Sequence, residues 1–215
     1  MFASGGGSNL QAIIDHLDAL HESAPAEVAL VVSDRVDAGA LRRARNREVA
    51  AEWVPRDRPE AIVEVLERHR IDLIALAGYL RKIPATVVSA FRGRILNVHP
   101  ALLPAFGGPG MYGSRVHEAV LRSGARLSGP TVHFVSEQYD EGAIIAQWPV
   151  PVRSDDTPGT LGARVLAAEH LLYPRSVAAL AAGTLSLDDD GRVVGAAFLD
   201  FDLATTALRR PISVG

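Results

Sequence analysis

Short apolar runs alternate with helix-patterned segments through the first hundred residues, and this alternation constrains the fold more than any other feature of the chain. Val28-Ala29-Leu30-Val31-Val32 reads as a buried strand ending at Ser33-Asp34, residues 38–47 as a helix, and Glu52-Trp53-Val54 as a short strand. Residues 59–70 read as a helix with Pro59 in its first turn and Ile62, Val65 and Leu66 facing inward. Residues 71–77 are a continuous apolar strand, residues 84–91 a helix, and residues 94–98 another strand. Strands without polar alternation, separated by helices, predict a mostly parallel twisted sheet covered by helices on both faces. A doubly wound, Rossmann-like α/β architecture is the simplest that fits. With 215 residues and no linker-like tract, a single domain over residues 1–215 is expected.

The second half departs from this rhythm. Residues 114–123 read as a helix, and Thr131-Val132-His133-Phe134-Val135 as an alternating strand. Residues 144–150 alternate and are flanked by prolines, which predicts an antiparallel, edge-like strand. Residues 157–182 read as one long helix with Thr157 as cap and Pro158 in its first turn, and Pro174 is expected to kink or split it. Residues 184–187 and 192–194, joined by Asp188-Asp189-Asp190-Gly191, have a hairpin pattern. The last dozen residues carry no pattern and are expected to fray.

At the other end, a glycine-rich turn arrives early. A wound α/β domain should begin with a strand of about five or six residues, yet only Met1-Phe2-Ala3 precede Ser4. Either the first strand is truncated to a stub or the true start lies upstream of Met1. The turn itself, Ser4-Gly5-Gly6-Gly7-Ser8-Asn9, feeds Leu10, Ile13, Ile14 and Leu17 at helical spacing, with Ser8 as the expected N-cap. Such a turn exposes backbone N–H groups to an anion at a helix N-terminus, although an ordinary capped turn has the same composition. It matches neither the Walker pattern nor the GxGxxG dinucleotide fingerprint.

Charge excludes some classes of partner. The 22 basic and 25 acidic residues leave a net charge of −3, which argues against a generic binder of nucleic acid or membrane surfaces, so any anion must be held locally. Cys is absent, which excludes disulfides, thiolate metal sites and a cysteine nucleophile. No signal peptide or membrane-length apolar run is present, so a soluble cytoplasmic protein is expected. Monomer and homodimer both remain open.

The strongest chemical feature is Ile95-Leu96-Asn97-Val98-His99-Pro100. Asn97 and His99 alternate, so both side chains lie on one face of a strand that the proline ends. The Gly- and Pro-rich residues 105–113 beside it suit a lid or a plain connector. His99, His133 and Asp140 could form a metal set, but short-range ligand spacing is lacking, and His133 alternates with inward residues like a satisfied core histidine. His16, His21, His69 and His117 fall on helices and are expected at the surface. Without a Gly-x-Ser-x-Gly elbow there is no case for a serine nucleophile. What remains is Asn, His and a carboxylate, which suit acyl-type transfer without a covalent intermediate.

Asn97-Val98-His99-Pro100-Ala101-Leu102-Leu103-Pro104 resembles the Asn-x-His-Pro-Ser-Leu-Leu-Pro signature of the folate-dependent formyltransferases. The glycine-rich turn, Ala77-Gly78-Tyr79-Leu80-Arg81, the run from Thr131 to Val135, Asp140-Glu141-Gly142 and Glu169-His170 follow in that family's order. The resemblance implies transfer of the formyl group of 10-formyltetrahydrofolate to the amine of glycinamide ribonucleotide, in purine synthesis, without a metal. It also implies roles. Asn97 would hold the formyl oxygen, His99 would protonate the oxyanion, and Asp140 would raise the His99 pKa and help move protons. Gly7, Ser8 and Asn9 would bind the phosphate, Glu169 the ribose hydroxyls, and Pro100 would border the substrate. The backbone of Leu80, Arg81, Lys82 and Ile83, with Asn97 and Val135, would bind the pterin between Leu76, Val88 and Ile95. Arg56 and Arg58 are both candidates for a folate-contacting arginine. The rival formyl-group enzymes are a methionyl-tRNA formyltransferase, which needs a tRNA-binding extension, and a formyltetrahydrofolate hydrolase, which carries a regulatory domain. A non-catalytic nucleotide-binding module is the rival from another class.

Overall fold

The computed structural model describes residues 1–55 and 57–195. The predicted alternation appears as α1 (Ser8–Ala19), β1 (Leu30–Ser33), α2 (Gly39–Asn46), β2 (Ala50–Trp53), α3 (Ala61–Arg68), β3 (Ile74–Ala77), α4 (Ala85–Ala90) and β4 (Ile95–His99). There follow α5 (Ser114–Ser123), β5 (Leu127–Ser128), β6 (Thr131–Phe134), β7 (Ile144–Gln147), β8 (Val150–Pro151), α6 (Pro158–Ala181), β9 (Ser186–Leu187) and β10 (Val193–Val194). β1 pairs with β2 and β3 with β4, both in parallel, while β6 runs antiparallel to β4 and β7 antiparallel to β6.

The stub before the glycine-rich turn joins the two halves of this sheet. Phe2 bridges in parallel to Val32 on one side and to Leu76 on the other. Its N–H donates to the Ala75 carbonyl at 2.8 Å, and its own carbonyl accepts from Ala77 N–H at 3.0 Å. On the opposite edge, Ala3 N–H donates to Val32 at 3.1 Å and Val32 N–H to Met1 at 2.8 Å. The spatial order is therefore β2, β1, residues 1–3, β3, β4, β6, β7. The stub lies at the centre of the sheet and is paired along both edges, and the Phe2 side chain is fully buried.

Alternating side chains feed two cores. On one face Val31, Leu96 and Val132 pack against Leu10 and Ile13 of α1, Leu41 of α2, and Leu172 and Tyr173 of α6. On the other, Phe2, Leu30, Ile74 and Ile95 pack against Ile62 and Leu66 of α3 and Val87 of α4. Each such buried aliphatic side chain contributes roughly 1.5–3 kcal/mol over leaving it in water. The Tyr173 hydroxyl lies 2.8 Å from the Leu76 carbonyl and 3.1 Å from that of Leu96, fastening α6 beneath the two strands that carry the site.

Several expectations change. Ser8 is the first residue of α1 and not its cap; the cap position belongs to Gly7, with φ 77°, and no side chain closes that end. Residues 144–150 are two strands, because Pro149 has no N–H with which to continue the ladder, and β8 pairs with β5 instead. Helix α6 runs unbroken through Pro174. Leu172, Tyr173 and Val177 are buried on both sides of the proline, and the Ser176 hydroxyl donates to the Leu172 carbonyl at 3.0 Å. Thr157 caps α6 as expected, through a reciprocal box with Thr160. The hairpin appears as β9 and β10. The expected fraying of the last dozen residues lies outside the described residues.

Candidate active site

A cleft of about 690 Å³ opens across the carboxyl ends of the parallel strands. Most of the residues singled out in the sequence border it. Gly7, Ser8 and Asn9 lie on one wall with Glu169 of α6, and Leu80, Arg81, Lys82, Ile83 and Val135 on another. Asn97, His99, Pro100 and Asp140 lie along the cleft with Leu76. The other two expected walls, Val88 and Ile95, do not border it; they belong to the core underneath. Arg58 sits at the surface beside Glu60 at 3.6 Å and does not border the cleft, and Arg56 lies outside the described residues.

The glycine-rich wall is shaped by one close approach. A Cβ on Gly7 would stand 2.8 Å from Ala40 Cα and 2.9 Å from its Cβ, and the left-handed backbone there suits glycine alone. Packing α1 against α2 in this way aims the first turn of α1 into the cleft. The first hydrogen bond of the turn runs from Gln11 N–H to the Gly7 carbonyl at 3.0 Å. The N–H groups of Ser8, Asn9 and Leu10 precede that bond, so this end offers donors and a positive dipole to an anion.

Asn97 sits opposite His133 in the ladder between β4 and β6, and the two side chains meet at 3.1 Å. His133 Nδ1 lies 2.7 Å from the Phe134 carbonyl, which can only accept, so Nδ1 carries the hydrogen and Nε2 offers a lone pair. That lone pair fixes the Asn97 amide with its NH₂ toward His133 and leaves the second N–H for another acceptor. The same reasoning applies to His99. Its Nε2 donates to the Phe106 carbonyl at 2.9 Å, so Nδ1 is the atom available for proton transfer, and it faces Asp140 Oδ2 at 3.6 Å.

Burial pulls the His99 pKa below its ordinary value, although the Asp140 charge and the Phe106 carbonyl both act to raise it. The expected upward influence of Asp140 is present, but desolvation outweighs it. Burial pushes the Asp140 carboxyl up, yet the Gly108 N–H at 2.9 Å and the neighbouring His99 hold it below the usual range. Residues 106 and 108 thus tie the Gly-rich loop to both members of the pair.

His133 Nε2 also stands 3.7 Å from Asp140 Oδ1, so the metal set weighed from sequence does converge in space. The lone pair a metal would need on His133 is engaged by Asn97, and among the described residues no group of three His, Cys, Asp or Glu side chains is arranged to hold a metal ion. His133 is 2 % exposed, so it is both a core histidine and a neighbour of the site.

At the far end, Asn9 Nδ2 donates to Glu169 Oε2 at 2.7 Å. Burial lifts the Glu169 carboxyl to about 7 against the downward pull of that bond. Asn9 Oδ1 is buried and has no partner among the described residues. His117, expected at the surface, is instead buried and borders the cleft. It packs on α6 where a Cβ at Gly162 would come within 3.0 Å of its ring. The signal that could have revealed this was Gly162, a glycine inside a helix where a close approach accounts for it.

Comparison with known proteins identifies the family. The sequence model of the formyl transferase family matches residues 1–177. A chloroplastic phosphoribosylglycinamide formyltransferase of Arabidopsis thaliana is 45% identical over 199 residues, covering 89% of this chain and 68% of that protein. The Bacillus subtilis phosphoribosylglycinamide formyltransferase is 39% identical over 81% of this chain and 89% of its own. Among solved structures, glycinamide ribonucleotide transformylase 1 from Symbiobacterium toebii superposes with a TM-score of 0.81 at 40% identity, covering 90% of this chain and 91% of that one. The chain spans 68% and 63% of the length of two plant relatives and 19% of the human trifunctional purine biosynthetic protein adenosine-3. On the family match, these identities and the shared α/β fold, the chain belongs to the formyl transferase family.

Proposed function

We infer that this protein transfers the formyl group of 10-formyltetrahydrofolate to the amino group of glycinamide ribonucleotide, a step of purine biosynthesis. The observation that carries the reading is the meeting, in one cleft, of Asn97, His99 and Asp140 with the open N-terminus of α1. An acyl-transfer set beside an anion site suits a small phosphorylated amine. The relatives named phosphoribosylglycinamide formyltransferase support the same choice.

In this reading Gly7, Ser8 and Asn9 hold the phosphate, Glu169 accepts from the ribose hydroxyls, and Pro100 borders the reacting amine. The Leu80–Ile83 backbone and Val135 hold the pterin, so the formyl carbon is presented between the two subsites. Asn97 donates its free N–H to the formyl oxygen, an interaction that strengthens as the amine adds and negative charge develops there. His99 delivers a proton from Nδ1 to that oxygen. Asp140 opposes the burial of the imidazolium and accepts proton density from the attacking nitrogen. Collapse returns the oxygen's proton to His99 Nδ1 and breaks the bond to the folate nitrogen, which leaves with the proton that Asp140 drew from the attacking nitrogen, and the formyl group stays on the amine. Holding a neutral amine against the formyl carbon supplies much of the acceleration.

Steady-state turnover tests the assignment. Purified protein given 10-formyltetrahydrofolate should release tetrahydrofolate only when glycinamide ribonucleotide is present. Release of formate without the amine would point to a hydrolase, and no turnover by folded protein would overturn the enzyme reading.

A further inference from the structure

We propose that the Ser4 hydroxyl is a positioning group that sets the folate-side loop against the phosphate turn. Ser4 is 3 % exposed and occupies the junction between the central stub and the glycine-rich turn. Its Oγ donates to Asp34 Oδ1 at 2.5 Å and accepts from Leu80 N–H at 3.0 Å, while its own N–H donates to the Gly78 carbonyl at 3.1 Å. One residue therefore ties together the chain leaving the stub, the residue after β1, and the loop after β3. Asp34, itself buried, fixes the direction of the hydroxyl, because a carboxylate can only accept and so turns the Ser4 lone pairs toward Leu80.

The two loops so joined are the ones that the proposed reaction must align. Residues 5–7 follow Ser4 directly, and a Cβ at Gly5 or Gly6 would meet nothing within 4 Å, so side-chain packing does not define the start of this turn. The turn is held further on, by Ala40 N–H on the Gly5 carbonyl at 3.0 Å and Arg43 Nε on the Gly6 carbonyl at 2.8 Å. Leu80 opens the segment assigned to the pterin. A shift of its backbone would move the formyl carbon relative to an amine held from the other loop, and reaction rates fall steeply with such misplacement.

The proposal rests on the formyl-transfer reading for its kinetic consequence but not for its structural one, and the test separates them. Ser4→Ala should raise the KM for 10-formyltetrahydrofolate and lower kcat about tenfold or more, while the affinity for glycinamide ribonucleotide changes less than about twofold. Ser4→Thr, which keeps the hydroxyl, should recover most of the loss. Ser4→Cys, which fills the space with a far weaker hydrogen-bonding group, should behave like Ser4→Ala and guards against a cavity effect. Amide hydrogen exchange, read without any substrate, should speed up about tenfold at Leu80 in Ser4→Ala, with β1 and β4 unchanged. Unchanged exchange at Leu80 would overturn the proposal whatever the enzyme does. Faster exchange in a protein that never turns over would leave it standing and sink the formyl-transfer reading instead. Equal losses in the Ala and Thr variants would also overturn it, since the hydroxyl would then not be the agent.

Discussion

His99 and Asp140 pull against each other's surroundings, and that balance has a measurable consequence. Burial favours a neutral imidazole, and the Asp140 charge is its main opponent. Asp140→Asn leaves only the Phe106 carbonyl to oppose burial, so a smaller fraction of His99 is protonated at any pH. The variant's rate should fall by roughly 10²–10⁴-fold, and its decline at high pH should begin at a lower pH than in the wild type. Binding of glycinamide ribonucleotide should be nearly unchanged, because Asp140 lies away from the phosphate turn. A pH–rate profile in which the two proteins decline at the same pH would contradict the role. Glu169 supplies a second test, of stability. Its carboxyl sits at about 7, above its ordinary 4.5, so its contribution to stability is complete below 4.5 and is lost as pH rises through 7. Glu169→Gln should therefore stabilise the protein by on the order of 3 kcal/mol at pH 8 and change little at pH 4, as read by denaturant unfolding. Asn97 and His99 were readable from sequence because alternation at a strand end leaves few other interpretations. Asp140 was less readable, since one carboxylate among 25 acidic residues carries no local signal; it entered only through a metal set without ligand spacing, and its order among the family motifs gave it its role.

Among the elements, the helices and apolar strands follow from periodicity, and α5 has the predicted boundaries of Ser114 and Ser123. What periodicity missed was tertiary. The stub at residues 1–3 is too short to announce itself as a strand, and it becomes one only because β1 and β3 offer open edges on both sides. His117 has the spacing of a helical residue and is buried because Gly162 lets α6 approach. Pro174 was expected to kink or split α6, and it does not split it, because buried neighbours hold both halves in place. The element most sensitive to a single substitution is the start of α1. Gly7→Ala places a methyl group against the α2 backbone and forces a left-handed conformation on a residue that disfavours it. The cost should be about 2 kcal/mol or more, seen as a lower urea midpoint, together with weaker ribonucleotide binding because α1 no longer points its N–H groups into the cleft. Unaltered stability would mean that α1 and α2 yield more readily than their spacing suggests.

At the scale of the whole molecule, the sheet topology explains why the site lies where it does. Parallel strands on one side of the cleft end at the phosphate turn and the folate-side loop, and the antiparallel β6 returns His133 and then Asp140 to face them. On the proposed assignment the two substrates are approached from different walls, with the reacting groups on β4 and just beyond β6. This arrangement calls for direct transfer, with the formyl group passing between substrates without resting on the protein. The most direct measurement is a single turnover with 10-formyltetrahydrofolate labelled in the formyl carbon, in the presence of glycinamide ribonucleotide. The account predicts label on the ribonucleotide amine in equal amount to the tetrahydrofolate released, with none on the protein. Label recovered as free formate, or bound to the protein after quenching, would contradict it.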